Sequence, residues 1–247
     1  MGKAAEVKNT VNCSRCGKNH YPENSTSVGN HIGAGPTLAR NILNAHYGSV
    51  AQSAHPLSEP GGQGHTAEAH HLINSENMSD DDEWEEICSN YGYDINSWQN
   101  GALLPRAMRI ACELEIPLHY GNHDETYLKK NWWNYVDVVK NLLKPIKAKA
   151  RKKDYCSDPN ANIIKDLNDL SQDIWIEVKN FNLTITYDGK DYDIGGVGCL
   201  GHSTLKTKKM NQTIPWVSNC IQRKHKDPEH RKRMIKAKLK GFFKERE

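Results

Sequence analysis

Two histidines stand side by side in Ala69-His70-His71-Leu72-Ile73, and two more follow in His119-Tyr120-Gly121-Asn122-His123. Neutral imidazole is the commonest metal ligand and the side chain that trades protons most readily near neutral pH. Neighbouring residues on an extended strand point to opposite faces. One histidine of the first pair can therefore hold a metal while the other reaches toward a substrate held by that metal. His123 falls in the first turn of a helix that Asn122 and Glu125 open as a capping box,. The positive end of the helix dipole opposes protonation there, which suits a metal ligand. Chance also produces His-His pairs, and a histidine near a helix start is often a surface residue, so the surrounding residues must decide.

The second group that could do chemistry is sulfur-rich. Cys13-Ser14-Arg15-Cys16-Gly17 is a C-x2-C closed by glycine, half of a zinc knuckle, and Cys199-Leu200-Gly201-His202 offers a C-x2-H as the other half. Together they make a tetrahedral structural zinc site with no open position. More than 180 residues separate the halves, and His20 or His31 stand as alternatives for completing the site. A redox pair and unligated thiols are the competing readings, the former without a thioredoxin-like βαβ context. Cys88 and Cys112 fall on apolar helical stripes and read as core; Cys156 and Cys220 have no assigned task.

These residues must be positioned by elements that the sequence also marks. Residues 1–65 are rich in Gly, Asn, Ser, Pro and His, with one apolar-periodic stretch around Leu38, Ile42 and Leu43, and read as mostly irregular,. Ser79 with Asp82 makes a capping signal for a helix through Trp84, Ile87, Cys88 and Tyr91 that stops at Gly92,. The acidic block from Asp80 to Glu86 then lies in the first turns, where the dipole favours negative charge, and needs no functional reading. The helix that begins near Asn122 carries Leu128, Trp132, Val136, Val139 and Leu143 inward and is expected to end by Pro145,. Ile163, Leu167, Leu170, Ile174, Val178 and Phe181 mark a further amphipathic helix, and Leu183–Ile194 reads as a hairpin turned at Asp188-Gly189,.

The first constellation sits among further signals: Gly92-Tyr93-Asp94-Ile95-Asn96, Asn100-Gly101, Leu104-Pro105 and Tyr127. With Ala69-His70-His71 and the second histidine pair in the same order, the stretch from Glu68 to about Leu143 resembles the AHH nucleases. These are a branch of the HNH/endonuclease VII superfamily with a ββα-metal core. The resemblance implies phosphodiester hydrolysis with one divalent metal. His71 would be the general base, His70 and His123 metal ligands, and His119 a third ligand or a phosphate contact. Asn100 resembles the asparagine that fixes the segment bearing the base. Magnesium, zinc and nickel stay open as the ion, although histidine ligands suit zinc or nickel. The fold class follows as α+β. A mostly helical chain surrounds a ββα-metal core at 66–150, preceded by the irregular, zinc-knuckle segment 1–65 and followed by a helix, hairpin and basic tail at 151–247.

The chain has 247 residues and a formal charge of +3, which does not by itself announce a nucleic-acid binder,. That average hides an asymmetry: residues 222–247 carry eleven Lys and Arg against four acids, which leaves −4 for the rest. A second basic run spans Lys144–Lys153. A like-charged run is usually a solvated face. A nuclease gains from each neutralised phosphate, however, so Lys149, Arg151, Lys152, Arg231, Lys232 and Arg233 are candidate phosphate contacts,. Nothing reads base edges, so sequence-independent cutting is expected, of DNA ahead of RNA. No stretch approaches the roughly 20 apolar residues of a membrane span, and no apolar segment follows the first residues as in a secretory signal. The odd cysteine count, seven, points to a reduced compartment,. The resemblance further implies a bacterial polymorphic toxin, secreted by a signal-independent route such as type VI, acting in the target-cell cytoplasm and blocked by an immunity protein. A phage or mobile-element endonuclease, or a non-catalytic zinc-stapled nucleic-acid-binding module, are the alternatives.

Overall fold

Helix α1, Gly35–Tyr47, grows from the apolar stretch seen in the N-terminal region. Pro36 occupies its first turn, where a missing N–H costs nothing, and Gly48 ends it in the left-handed conformation while donating to the Asn44 carbonyl,. Leu38, Ile42 and Leu43 face inward. The computed structural model describes residues 12–22, 28–49, 51, 67–106, 119, 135–179, 183 and 185. His123, Cys112, Cys199, His202, Cys220, the basic tail and nearly all of the expected hairpin lie outside the described residues.

Strand β1, Ala67–His71, pairs antiparallel with β2, Gly101–Pro105, in a register that sets His70 opposite Ala102 and His71 opposite Gly101. Alternation splits the strands between two apolar clusters. Leu38, Ile42, Leu43 and Leu103 form one with Ala67 and Ala69 against it, and Leu72, Ile73, Trp84, Tyr93, Leu104, Tyr135 and Trp175 belong to the larger one. β2 is buried along its whole length because it is covered on both faces, which explains its continuous apolar run,.

Helix α2, Asp82–Tyr91, starts later than expected. Asp81, not Ser79, is its cap, accepting from the Glu83 backbone N–H, because a short 3-10 turn at Ser75–Asn77 and the Met78–Asp81 bend take up the preceding residues. Trp84, Ile87, Cys88 and Tyr91 are buried as the spacing requires, and Gly92 closes the helix with φ 76°. Helix α3, Tyr135–Arg151, corrects a second expectation: Pro145 lies inside it. An interior proline costs about 3 kcal/mol. Here Leu143, Ile146 and Ala150 bury on both sides of it, and that apolar area carries the helix through,. A short α4, Asp154–Ser157, leads to α5, Ile163–Lys179, whose inward positions Ile163, Leu167, Ile174 and Val178 match the predicted stripe. Among the described residues the architecture is therefore helices around one small antiparallel sheet, an α+β arrangement. Among the described residues, no helix is long and apolar enough to cross a membrane.

The acidic block has a structural use beyond the dipole. Glu83 holds Arg151 through two hydrogen bonds of 2.7 Å and Lys147 at 3.0 Å, and Asp81 also takes Lys147. Lys149 pairs with Asp166 at 3.0 Å. Two of the candidate phosphate contacts, Lys149 and Arg151, are thus engaged with carboxylates of the same chain, while Lys152 is exposed.

Candidate active site

The site is built around the end of β1 and the loop that follows it. Asn100 is the keystone of that loop. Fully buried, its Oδ1 accepts from the Ile73 N–H at 2.8 Å and from the Ser171 hydroxyl at 2.9 Å, and its Nδ2 donates to the carbonyls of Ile73 at 3.0 Å and Ile95 at 2.9 Å. The backbone adds Leu72 N–H to Asn100 O at 2.9 Å. One amide side chain thereby ties the strand bearing the histidines to the loop 93–100 and to α5.

His71 is half-buried, and its Nε2 lies 3.0 Å from Asn96 Oδ1. The surroundings of Asn96 settle the direction of that bond. Its Oδ1 also accepts from the Ala34 N–H at 2.7 Å, and its Nδ2 donates to the Ile32 carbonyl at 2.9 Å, so the oxygen must face His71. His71 is then the donor at Nε2, and its lone pair resides on Nδ1. Burial holds the His71 pKa below its ordinary value, with the Asn96 hydrogen bond opposing the shift. At neutral pH the ring is neutral, as a general base must be. Gly33 lets the backbone come this close: a Cβ there would sit 2.4 Å from Ser75 Cβ and 3.4 Å from His71 Cε1.

His70 turns the other way, as strand alternation demands. It is buried, with Nε2 3.0 Å from the Tyr135 hydroxyl. Tyr135 donates its own proton to the Leu72 carbonyl at 2.6 Å, so His70 donates at Nε2 and carries its lone pair on Nδ1,. The His119 ring lies beside it, centroids 5.0 Å apart. His119 is held by its backbone N–H to Pro105 O at 2.9 Å and by Nδ1 to Glu68 Oε2, also 2.9 Å. With Nδ1–H given to the carboxylate, Nε2 is the nitrogen that could ligate a metal,. Two imidazoles whose opposite nitrogens are anchored by a phenol and a carboxylate could hold a metal, with supporting hydrogen bonds of the kind that orient such ligands already in place,. The structure thus brings His70 and His119 together and sets His71 apart; His123, the other expected ligand, lies outside the described residues.

Comparison with known proteins bears on the middle part of the chain. Residues 55–174 match the model of AHH, a nuclease family of the HNH/ENDO VII superfamily with conserved AHH. This is an AHH-family segment. The match takes in the histidine strand, the Asn96 and Asn100 loop, and helices α2 to α4 with most of α5. No curated protein and no solved structure matches the chain. Nuclease families act on nucleic acid, so the AHH segment assigns that substrate class.

Three supporting residues escape a reading of motifs alone. Asn96 stands inside the quoted Gly92–Asn96 stretch, yet nothing in its spacing assigns it to His71. Glu68 and Tyr135 find their partners only across the fold, 51 and 65 residues away in sequence.

Proposed function

We propose that the AHH segment makes this chain a metal-dependent, sequence-nonspecific endonuclease with DNA as the preferred substrate. The observation that carries the reading is the Asn96 clamp, which leaves a neutral, oriented His71 with its lone pair on Nδ1. In the reaction His71 Nδ1 takes a proton from water, the water oxygen bonds to phosphorus, and the bond from phosphorus to the 3′-oxygen breaks. As the ring gains charge, Asn96 Oδ1 holds the Nε2–H and keeps the imidazolium oriented, the task a carboxylate performs in a hydrolase triad. Asn100 acts through the backbone, fixing the loop on which Asn96 stands. A divalent ion held by His70, His119 and His123 would supply Lewis acidity toward the phosphate oxygens. The all-imidazole set favours zinc or nickel over magnesium.

The biological setting we propose is that of an antibacterial toxin, carried into competing cells by a secretion system such as type VI and neutralised by an immunity protein. The family resemblance and the phosphate-binding potential of residues 222–247 support it. Purified wild type and His71→Ala should be incubated with plasmid DNA and with RNA across a panel of divalent metals. The wild type should degrade DNA with at least one metal, and the variant should lose about 100-fold or more in rate, the size of a general-base contribution. Expression of the wild type inside bacteria should arrest growth, and the variant should not. A His71→Ala protein that still cuts DNA at the wild-type rate would remove the assignment of the base.

A further inference from the structure

We propose a second metal centre, remote in function from the histidine strand: a closed structural zinc site formed by Cys13, Cys16, His20 and Cys156. One ligand atom from each of the four lies within 4.8 Å of all the others. Cys13 Sγ and Cys156 Sγ are 3.9 Å apart, close to the ~3.8 Å that two thiolates span on a tetrahedral zinc with Zn–S near 2.3 Å,. Cys16 Sγ lies 3.0 Å from His20 Nε2. The donor set is Cys3His, one of the usual structural sets, and with four protein ligands it leaves no position for water or substrate.

The surroundings are built as a ligand cage rather than as an accidental meeting of thiols. Cys13 to Lys18 is a tight turn: the Cys13 N–H donates to Lys18 O at 2.9 Å, and the Gly17 N–H donates to Cys13 O at 2.8 Å. Gly17 takes φ +73°, the left-handed conformation that closes a knuckle,. Tyr91 places its hydroxyl 3.1 Å from Cys156 Sγ and its ring 4.9 Å from that of His20, which orients two of the ligands,. The turn is docked independently. The Ser14 N–H reaches Asn90 Oδ1 at 2.8 Å, and Arg15 grips Glu86 at 2.8 and 2.9 Å and the Ala150 carbonyl at 2.8 Å. Cys156, which the sequence leaves without a task, is presented by α4 from 140 residues further on than Cys16. Cys199 and His202, the expected second half of the clasp, lie outside the described residues, and Cys13, Cys16, His20 and Cys156 supply four ligand atoms among themselves.

The zinc would staple the irregular start of the chain to the helices. Described residues beyond the knuckle reach α2 and the loop supporting His71. Tyr21 donates to Ser89 O, Asn30 bridges to Asp94, and Ile32 O receives the Asn96 amide.

The full-length protein, passed over a chelating resin to strip weakly held ions, should retain one zinc per chain by elemental analysis. A mercurial thiol reagent should release it. Replacement with cobalt should give the thiolate charge-transfer band and the intense visible bands of a tetrahedral site. Cys156→Ser should lose the retained zinc and melt at lower temperature, whereas Cys88→Ser, which changes a buried thiol outside the cluster, should keep it. Should Cys156→Ser fail to fold, Cys156→His preserves a ligand and should keep zinc with a weakened charge-transfer band. Folded wild type without retained zinc, a disulfide between these cysteines, a cobalt spectrum lacking thiolate bands, or unchanged zinc in Cys156→Ser would each overturn the proposal. None of these readouts depends on nuclease activity, so the site stands or falls apart from the nuclease reading.

Discussion

At the scale of single residues, the two adjacent histidines differ in what grips each ring. His70 gives its Nε2 proton to a phenol that is itself held by a backbone carbonyl, and His71 gives its own to an asparagine whose amide is locked from two sides. Both rings thus present Nδ1, one buried with the neighbouring His119 and one half-buried at the loop. If Asn96 sets the tautomer of His71, Asn96→Ala should lower kcat by about 10- to 100-fold, the usual cost of losing a supporting partner. KM should change little, because the Asn96 side chain is spent on His71, Ala34 and Ile32, and the folded structure should survive. Unchanged kcat in the Asn96→Ala protein would show that the clamp is structural only.

At the scale of elements, the strand and loop are held by polar bonds where apolar packing alone could not specify register. Asn100 makes four buried hydrogen bonds that tie the segment following β1, the loop before β2 and α5 to a single side chain. Truncation to alanine leaves the Ile73 N–H and carbonyl and the Ile95 carbonyl seeking partners inside the protein, while the Ser171 hydroxyl keeps the Leu167 carbonyl at 3.0 Å. Each such group costs about 1–3 kcal/mol. Asn100→Ala should therefore destabilise the protein by about 3 kcal/mol or more in denaturant unfolding. The loss should be far larger than that of a surface asparagine such as Asn141. A loss below about 1 kcal/mol would mean that water or a shifted loop satisfies these groups.

At the scale of the whole molecule, charge couples distant segments. Glu83 on α2 receives Arg151 and Lys147 from α3, and the Arg151 hydrogen bonds hold its pKa down from 4.5 to about 2. A carboxylate with a depressed folded pKa stabilises the protein fully above the unfolded value and loses that contribution as pH falls through the folded one. The window here runs from 4.5 down to about 2. Because Arg151 is largely exposed, solvent screens the pair and the effect is modest,. Glu83→Gln should melt lower than wild type at neutral pH and lose less Tm across that window, with the two curves converging at its acid end. Parallel melting curves across the window would show that the pair adds nothing.

Much of this architecture was legible in residue types and spacing. The amphipathic stripes of α1, α2 and α5 are local facts, because a period near 3.6 and a terminal glycine need no knowledge of what packs against them. The split of His70 and His71 between two faces follows from the pleat of a strand, and the order of the histidine and asparagine signals is enough to place the chain beside the AHH nucleases. Tertiary structure decided the rest. Pro145 stays helical because the apolar residues around it find a core, which local propensity cannot register. Asp81 replaces Ser79 as a cap because a preceding turn occupies the earlier residues. Asn96 and Tyr135 take up their roles, and Cys156 its place beside Cys13, through contacts between segments 25 to 143 residues apart, a separation at which spacing carries no information about proximity.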